Sequence, residues 1–190
     1  MLDRDQFQAA YARALPYADY VATGTPPQQE SWEAFRRDHP IGQAQIELVG
    51  RFSRRIHALA ISSAWCGDCV QQLPFLAQFE AANPERFRPR FLDRDENAGL
   101  AEHFMICEGL RVPVVLFLNE DFDFIALFGD RSLTRYRAMA AARLGSLCPL
   151  PGAAVAAEEA EATRQDWLNE LERVHLLCRL SPKLRARHGD

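Results

Sequence analysis

The chain has 190 residues, 48% of them hydrophobic and 25% charged, with 26 acidic side chains against 22 basic ones and a net charge of −4. That length suits one domain with extensions, and that apolar share can fill a core, which excludes a chain disordered by composition. A scattered acidic excess argues against a nucleic-acid partner, and no apolar run nears the ~18 residues of a membrane span, so no membrane partner is expected either.

Residues 3–15 predict a helix, with Phe7, Ala10, Tyr11 and Ala14 on one stripe, broken by Pro16, Gly24, Pro26 and Pro27. A second helix is expected near 30–38, where Trp32 and Phe35 share a face, and a third over Ile41–Phe52. Together they make an N-terminal helical cover, residues 1–52. The core, residues 53–145, opens with a buried strand at His57–Ser62. Gly67 to Ala82 reads as one helix with Pro74 inside it, stopped by Asn83-Pro84. Phe87–Leu92 suits a strand, Ala98–Met105 a helix, and Val112–Leu118 a strand joined through Asn119-Glu120-Asp121 to a second, Phe122–Phe128, in an antiparallel hairpin. A helix capped by Ser132 follows, to Leu144. The remainder, 146–190, is a broken connector at Cys148–Gly152 and a long helix from about Ala153 to Arg179, expected to pack on its own domain through Leu168, Leu171, Val174 and Leu177 or Cys178. The fold class is α/β with a mixed central sheet flanked by helices and helical extensions at both ends.

Five cysteines are present: Cys66, Cys69, Cys107, Cys148 and Cys178. Only the first two are close, and a close pair in a reducing compartment points to catalysis or metal binding. The start, Met1-Leu2-Asp3-Arg4-Asp5, lacks a basic head and apolar stretch, so a soluble, cytoplasmic protein is expected. Trp65-Cys66-Gly67-Asp68-Cys69 sits where the first core strand meets its helix. There Cys66 would face unpaired backbone N–H groups and the positive end of the helix dipole, which favour the nucleophilic thiolate. Cys69, one helical turn on, is placed to resolve a mixed disulfide. Cys107, Cys148 and Cys178 read as buried or partly buried apolar residues. The histidines at 39, 57, 175 and 188 show no partner spacing and read as surface or satisfied residues, and the arginine clusters at 51, 54, 55 and 86, 88, 90 read as solvated faces.

Residues 55–145 resemble the thioredoxin superfamily in four features in register. These are the Cys-x-x-Cys pair, Pro74 five residues after Cys69, Pro113 at the head of the third core strand, and Gly129 sixteen residues beyond Pro113. The Cys-Gly-Asp-Cys variant, the N-terminal helices and Phe-Gly-Asp-Arg (128–131) are similar to a bacterial subgroup of thioredoxin family proteins. The resemblance implies a thioredoxin-like fold, with Cys66 the exposed nucleophile and Cys69 the buried resolving thiol. It further implies a cis Pro113 that holds Val112 for backbone pairing with an extended substrate, Gly129 beside the substrate groove, and Trp65 as a shield over the pair, with Gly67 between them.

Two departures stand out. Where the family keeps a buried Asp six residues before the first cysteine, this chain has Ala60, and Lys183 is the only lysine. Asp68 replaces the usual proline of the motif; a carboxylate there is expected to raise the Cys66 pKa, make the pair more reducing and partly serve as the missing base.

The resulting expectation is a disulfide reductase that acts on a disulfide-containing protein or small-thiol substrate. No nicotinamide, flavin or metal signature is visible, so no cofactor is expected and an external thiol reductant regenerates the dithiol. Two other readings stay open: a non-catalytic binding module using the groove beside Pro113, and a structural zinc site made of Cys66, Cys69, His103 and Cys107.

Overall fold

The structure, a computed structural model, describes residues 2–144 and 158–189. At its centre lie β1 (Ile56–Ser62), β2 (Phe87–Asp93), β3 (Val114–Leu118) and β4 (Phe124–Gly129), in the order β2-β1-β3-β4. β1 runs parallel to β2 and antiparallel to β3, and β3 and β4 form the antiparallel hairpin. A parallel neighbour requires a crossover, supplied here by α5 (Gly67–Val70) and α6 (Pro74–Ala82). Every residue of β1 is buried, as an almost unbroken apolar strand covered on both faces must be. The expected single helix over 67–82 is thus two, because Pro74 has no N–H to continue the ladder and instead opens α6.

Four helices precede the sheet: α1 (Arg4–Arg13), α2 (Tyr17–Ala22), α3 (Pro26–Asp38) and α4 (Gln43–Gly50). The short α2 lies where the sequence predicts only breakers. α3 begins at Pro26-Pro27 rather than near residue 30, since prolines fit a first turn whose N–H groups have no partner, and the Gln28 Oε1 accepts from the Thr25 N–H at 2.8 Å. Leu15 exchanges both backbone hydrogen bonds with Phe91, at 2.9 and 2.8 Å, and so covers the open edge of β2. Tyr17 and Tyr20 pack on Phe91, and Trp32, fully buried, packs on both tyrosines. Its indole Nε1 donates to the Ala64 carbonyl at 2.9 Å, tying α3 to the loop that carries Trp65 and Cys66.

Val112 and Pro113 precede β3 instead of opening it, and Phe122, at φ +63°, belongs to the turn before β4. Residues 98–105 are α7 (Ala98–Ala101) and a 3-10 turn. α8 (Leu133–Leu144) starts after Ser132, whose Oγ accepts from the Arg135 N–H at 3.3 Å. α9 (Glu159–Leu180) and α10 (Pro182–His188) follow. Residues 145–157, with Cys148 and the expected start of the long helix, lie outside the described residues. α9 buries Trp167, Leu168, Leu171, Val174 and Cys178 and leaves Leu177 exposed; it lies against β4, α6 and α8.

Three buried polar residues have partners that spacing along the chain does not show. His57 is buried and stacked on Phe122 at 4.4 Å, and burial among Arg55, Arg88 and Arg90 holds its pKa down to about 4. His175 on α9 stacks on Phe52, and its Nε2 accepts from the backbone N–H of Ser53 at 3.0 Å and Arg54 at 3.4 Å. Arg54 is buried rather than solvated, paired with Glu120 at 3.1 Å. Sequence spacing cannot show these partners, because each lies far along the chain.

Candidate active site

β1 ends at Ser62, and the chain turns through Ser63–Trp65 with the Cys66 N–H bonded to the Ser63 carbonyl at 3.0 Å. Cys66 is the N-cap of α5. That helix is a single turn, too short for much of a macrodipole, so the N–H groups at its start act directly. The Cys69 thiol and the backbone N–H groups of Cys69 and Asp68 all favour a negative Cys66 sulfur. They outweigh burial and hold its pKa down to about 6. Cys69 is fully buried, and its pKa is pushed well above the ordinary thiol value by burial and by the negative Cys66 beside it. The two thiols therefore separate into one ionised at neutral pH and one protonated.

Cys66 is only 9% exposed, more covered than the expected exposed nucleophile, but it still lines an open cleft of about 380 Å³. Trp65 and Arg94 form one wall, Leu110 to Val112 another, and Asp130 with Arg131 a third. Trp65 is 57% exposed, with the Arg94 guanidinium 5.2 Å from its ring centre. The Cys66 Sγ lies 3.8 Å from the Val112 carbonyl. The Val112–Pro113 peptide is cis, as is Gly129–Asp130. Gly129 has φ +150°, and a Cβ there would stand 2.3 Å from the Pro113 carbonyl oxygen, so no larger residue fits against the Pro113 loop. Gly67 is under no such restriction, with open space where a Cβ would be.

Asp68 pushes the Cys66 pKa in the expected direction without setting the net shift. Its carboxylate is held by Arg131 at 2.5 Å and Arg135 at 2.6 Å. Its upward push on Cys66 is smaller than the effects of the Cys69 thiol, of burial and of the N–H groups, and the net shift is downward. The sequence reading missed these arginines, although Arg131 lies within the Phe-Gly-Asp-Arg segment. It also missed Asp130, 2% exposed and bonded to Arg111, Arg131 and Tyr136.

Gln72, fully buried, binds the site together. Its Nε2 donates to the carbonyls of Asp68 at 3.1 Å and Asp130 at 3.2 Å. Its Oε1 accepts from the Ser132 N–H at 3.1 Å and the Trp167 indole at 3.3 Å. One amide thus joins α5, the loop after β4, the start of α8 and the docked α9. His103 and Cys107 do not join the pair: among the described residues, no three His, Cys, Asp or Glu side chains are grouped so as to hold a metal ion.

Comparison with known proteins agrees with this geometry. The thioredoxin family model matches residues 14–143, more than half of the chain. The chain belongs to the thioredoxin family. The match reaches back across α2–α4, so these helices lie within the thioredoxin region that the family describes. Among solved structures, a thioredoxin-family chain such as this one is similar to a Pseudomonas aeruginosa protein of unknown function, at 21% identity over 86% of this chain and 95% of that one, with a TM-score of 0.66. It is also similar to an HIV epitope-scaffold, at 20% identity over 88% and 92%, with a TM-score of 0.60. These likenesses show the fold. No curated protein matches the sequence. No helix among the described residues is long and apolar enough to cross a membrane.

Proposed function

We propose that the protein is a thiol–disulfide oxidoreductase that reduces disulfides through Cys66 and Cys69. The observation that carries this reading is the division of the pair: Cys66 ionised at the start of α5, Cys69 protonated and buried beneath it. The Cys66 thiolate attacks one sulfur of a substrate disulfide and expels the other as a thiolate. Cys69 then loses its proton and attacks Cys66, which releases the reduced substrate and leaves a Cys66–Cys69 disulfide. An external thiol reductant restores the dithiol, in a reducing, cytoplasmic setting. Val112, just before the cis Pro113, has an N–H that donates to nothing among the described residues and stands at the cleft, available to an extended substrate strand. Trp65 and Gly129 shape the cleft's sides, and Asp68 with its two arginines fixes the turn that presents the thiols.

A turbidity assay of disulfide reduction tests this. Dithiothreitol-driven precipitation of a disulfide-linked protein is expected to be faster with the unchanged chain than with the reductant alone, and not faster with Cys66→Ser. If both variants behave as the reductant alone does, the catalytic reading fails and the cleft is a binding groove.

A further inference from the structure

The cleft in front of Cys66 carries charge as well as sulfur. Among the described residues, three arginines line it, Arg94, Arg111 and Arg131, against two carboxylates, Asp68 and Asp130. Both carboxylates are more covered than any of the three arginines, and each is already held by two guanidiniums: Asp68 by Arg131 and Arg135, Asp130 by Arg111 and Arg131. Arg111 is the surplus member. The buried Asp130 carboxylate is satisfied without it, by Arg131 at 2.9 Å and by the Tyr136 hydroxyl. Arg111 touches Asp130 only at 3.4 Å, and its side chain is 41% exposed. A guanidinium carries five N–H donors in a rigid fork, so most of those on Arg111 have no protein acceptor among the described residues. Arg94 stands close by: it donates to the Leu110 carbonyl at 3.1 Å, one residue before Arg111, and lies 5.2 Å from the centre of the exposed Trp65 ring. Its carboxylate partner, Asp95 at 2.7 Å, lies outside the cleft wall. Val112, next along the chain from Arg111, has its free N–H at the same cleft.

We propose that this cleft selects acidic disulfides, those with a carboxylate a few bonds from the sulfur, through Arg111 supported by Arg94, a preference that rests on the exchange reading above. A carboxylate accepts two N–H bonds from one guanidinium, and the unfilled fork of Arg111 matches it. Attraction by the arginines raises the local concentration of an anionic substrate and orients it while Cys66 attacks. A cationic disulfide meets the same arginines as like charges. The exchange itself is unchanged: the two protein thiols are oxidised to one disulfide, the substrate S–S bond is reduced to two thiols, and the carboxylate takes no part. A small dicarboxylate disulfide and a protein disulfide flanked by Asp or Glu both supply this chemistry.

Three aliphatic disulfides of matched length differ only in their end groups: dithiodipropionate is anionic, hydroxyethyl disulfide neutral and cystamine cationic. The reduced protein is mixed with each and quenched in acid, and formation of the Cys66–Cys69 disulfide is followed by mass spectrometry after alkylation. Each rate is divided by that of dithiothreitol with the same disulfide, which removes intrinsic reactivity. The anionic-to-neutral ratio is expected to be about tenfold or more at low salt and to fall toward one in roughly 0.5 M sodium chloride. In Arg111→Gln it is expected to drop at least about threefold, and the cationic-to-neutral ratio of the unchanged chain is expected to lie below one. The same comparison on disulfide-bridged peptides with Asp or Asn beside each cysteine separates the two sources. A preference that extends to the Asp peptide assigns an acidic protein segment, and one confined to dithiodipropionate assigns a small acid. A ratio near one in the unchanged chain, or one that salt or Arg111→Gln leaves as it was, overturns the preference and leaves the exchange reading standing. No oxidation of the pair by any of the three disulfides overturns the exchange reading, and the preference with it.

Discussion

At Gln72 one buried amide uses its two N–H bonds and both lone pairs on partners from four parts of the chain. Gln72→Ala leaves the Trp167 and Ser132 N–H groups buried without acceptors, so a loss of about 3 kcal/mol is expected in chemical denaturation. Gly129→Ala is expected to cost more than about 2 kcal/mol and to lower disulfide reduction further than it lowers stability. The added Cβ drives against the Pro113 carbonyl beside the cleft, and the φ of +150° suits only glycine. For Asp68→Asn, the Cys66 pKa, followed by thiolate absorbance, is expected to fall, because the carboxylate's own push is upward and the substitution leaves the positive Arg131 unbalanced. An unchanged or raised value would contradict this assignment. Of these three positions, Gly129 and Asp68 stand out in the sequence by register and by motif. Gln72 does not, since nothing local distinguishes a buried amide from a surface one on a short helix.

The elements were legible wherever local chemistry decides them. β1 and the β3–β4 hairpin follow from apolar runs and a polar turn, and the start of α8 from Ser132. Helix boundaries near proline were less so, because the same residue stops one helix and opens the next: Pro74 begins α6, and Pro26 begins α3. How α9 docks lay beyond pattern reading. The apolar stripe gives its buried face, but His175 as an acceptor for two backbone N–H groups depends on where residues 53–54 come to rest. That contact, with His57 inside the sheet layer, makes stability pH-dependent. Unfolded histidine titrates near 6.5 and native His57 at about 4, and the His175 pKa is lowered too. Above pH ~6.5 neither state binds the protons; as pH falls from there toward 4, the unfolded chain takes up protons that the native one refuses. Stability is therefore expected to drop across that window, by at most about 3 kcal/mol from His57. Urea midpoints at about pH 7 and about pH 4.5 measure it, and His57→Phe, which keeps the stacked ring, is expected to flatten the slope.

Taken whole, the chain surrounds a small sheet with helices so that two sulfurs meet at one end of it. Four features in register, at positions 66–69, 74, 113 and 129, were enough to place that end from the sequence. The charge balance around Asp68 was not, because Arg131 and Arg135 reach its carboxylate from some 60 residues away. The division of labour between the thiols is thus a property of the assembled site: N–H groups and a neighbouring thiol lower one, and burial raises the other. Its most direct test is the rate of iodoacetamide alkylation of the reduced protein, mapped to each cysteine by mass spectrometry, from about pH 4 to about pH 9. The expected result is modification of Cys66 that reaches half its maximal rate at about pH 6, with Cys69 unmodified throughout. Half-maximal modification of Cys66 near the ordinary thiol value of about 8.5, or equal reaction at both cysteines, would contradict it.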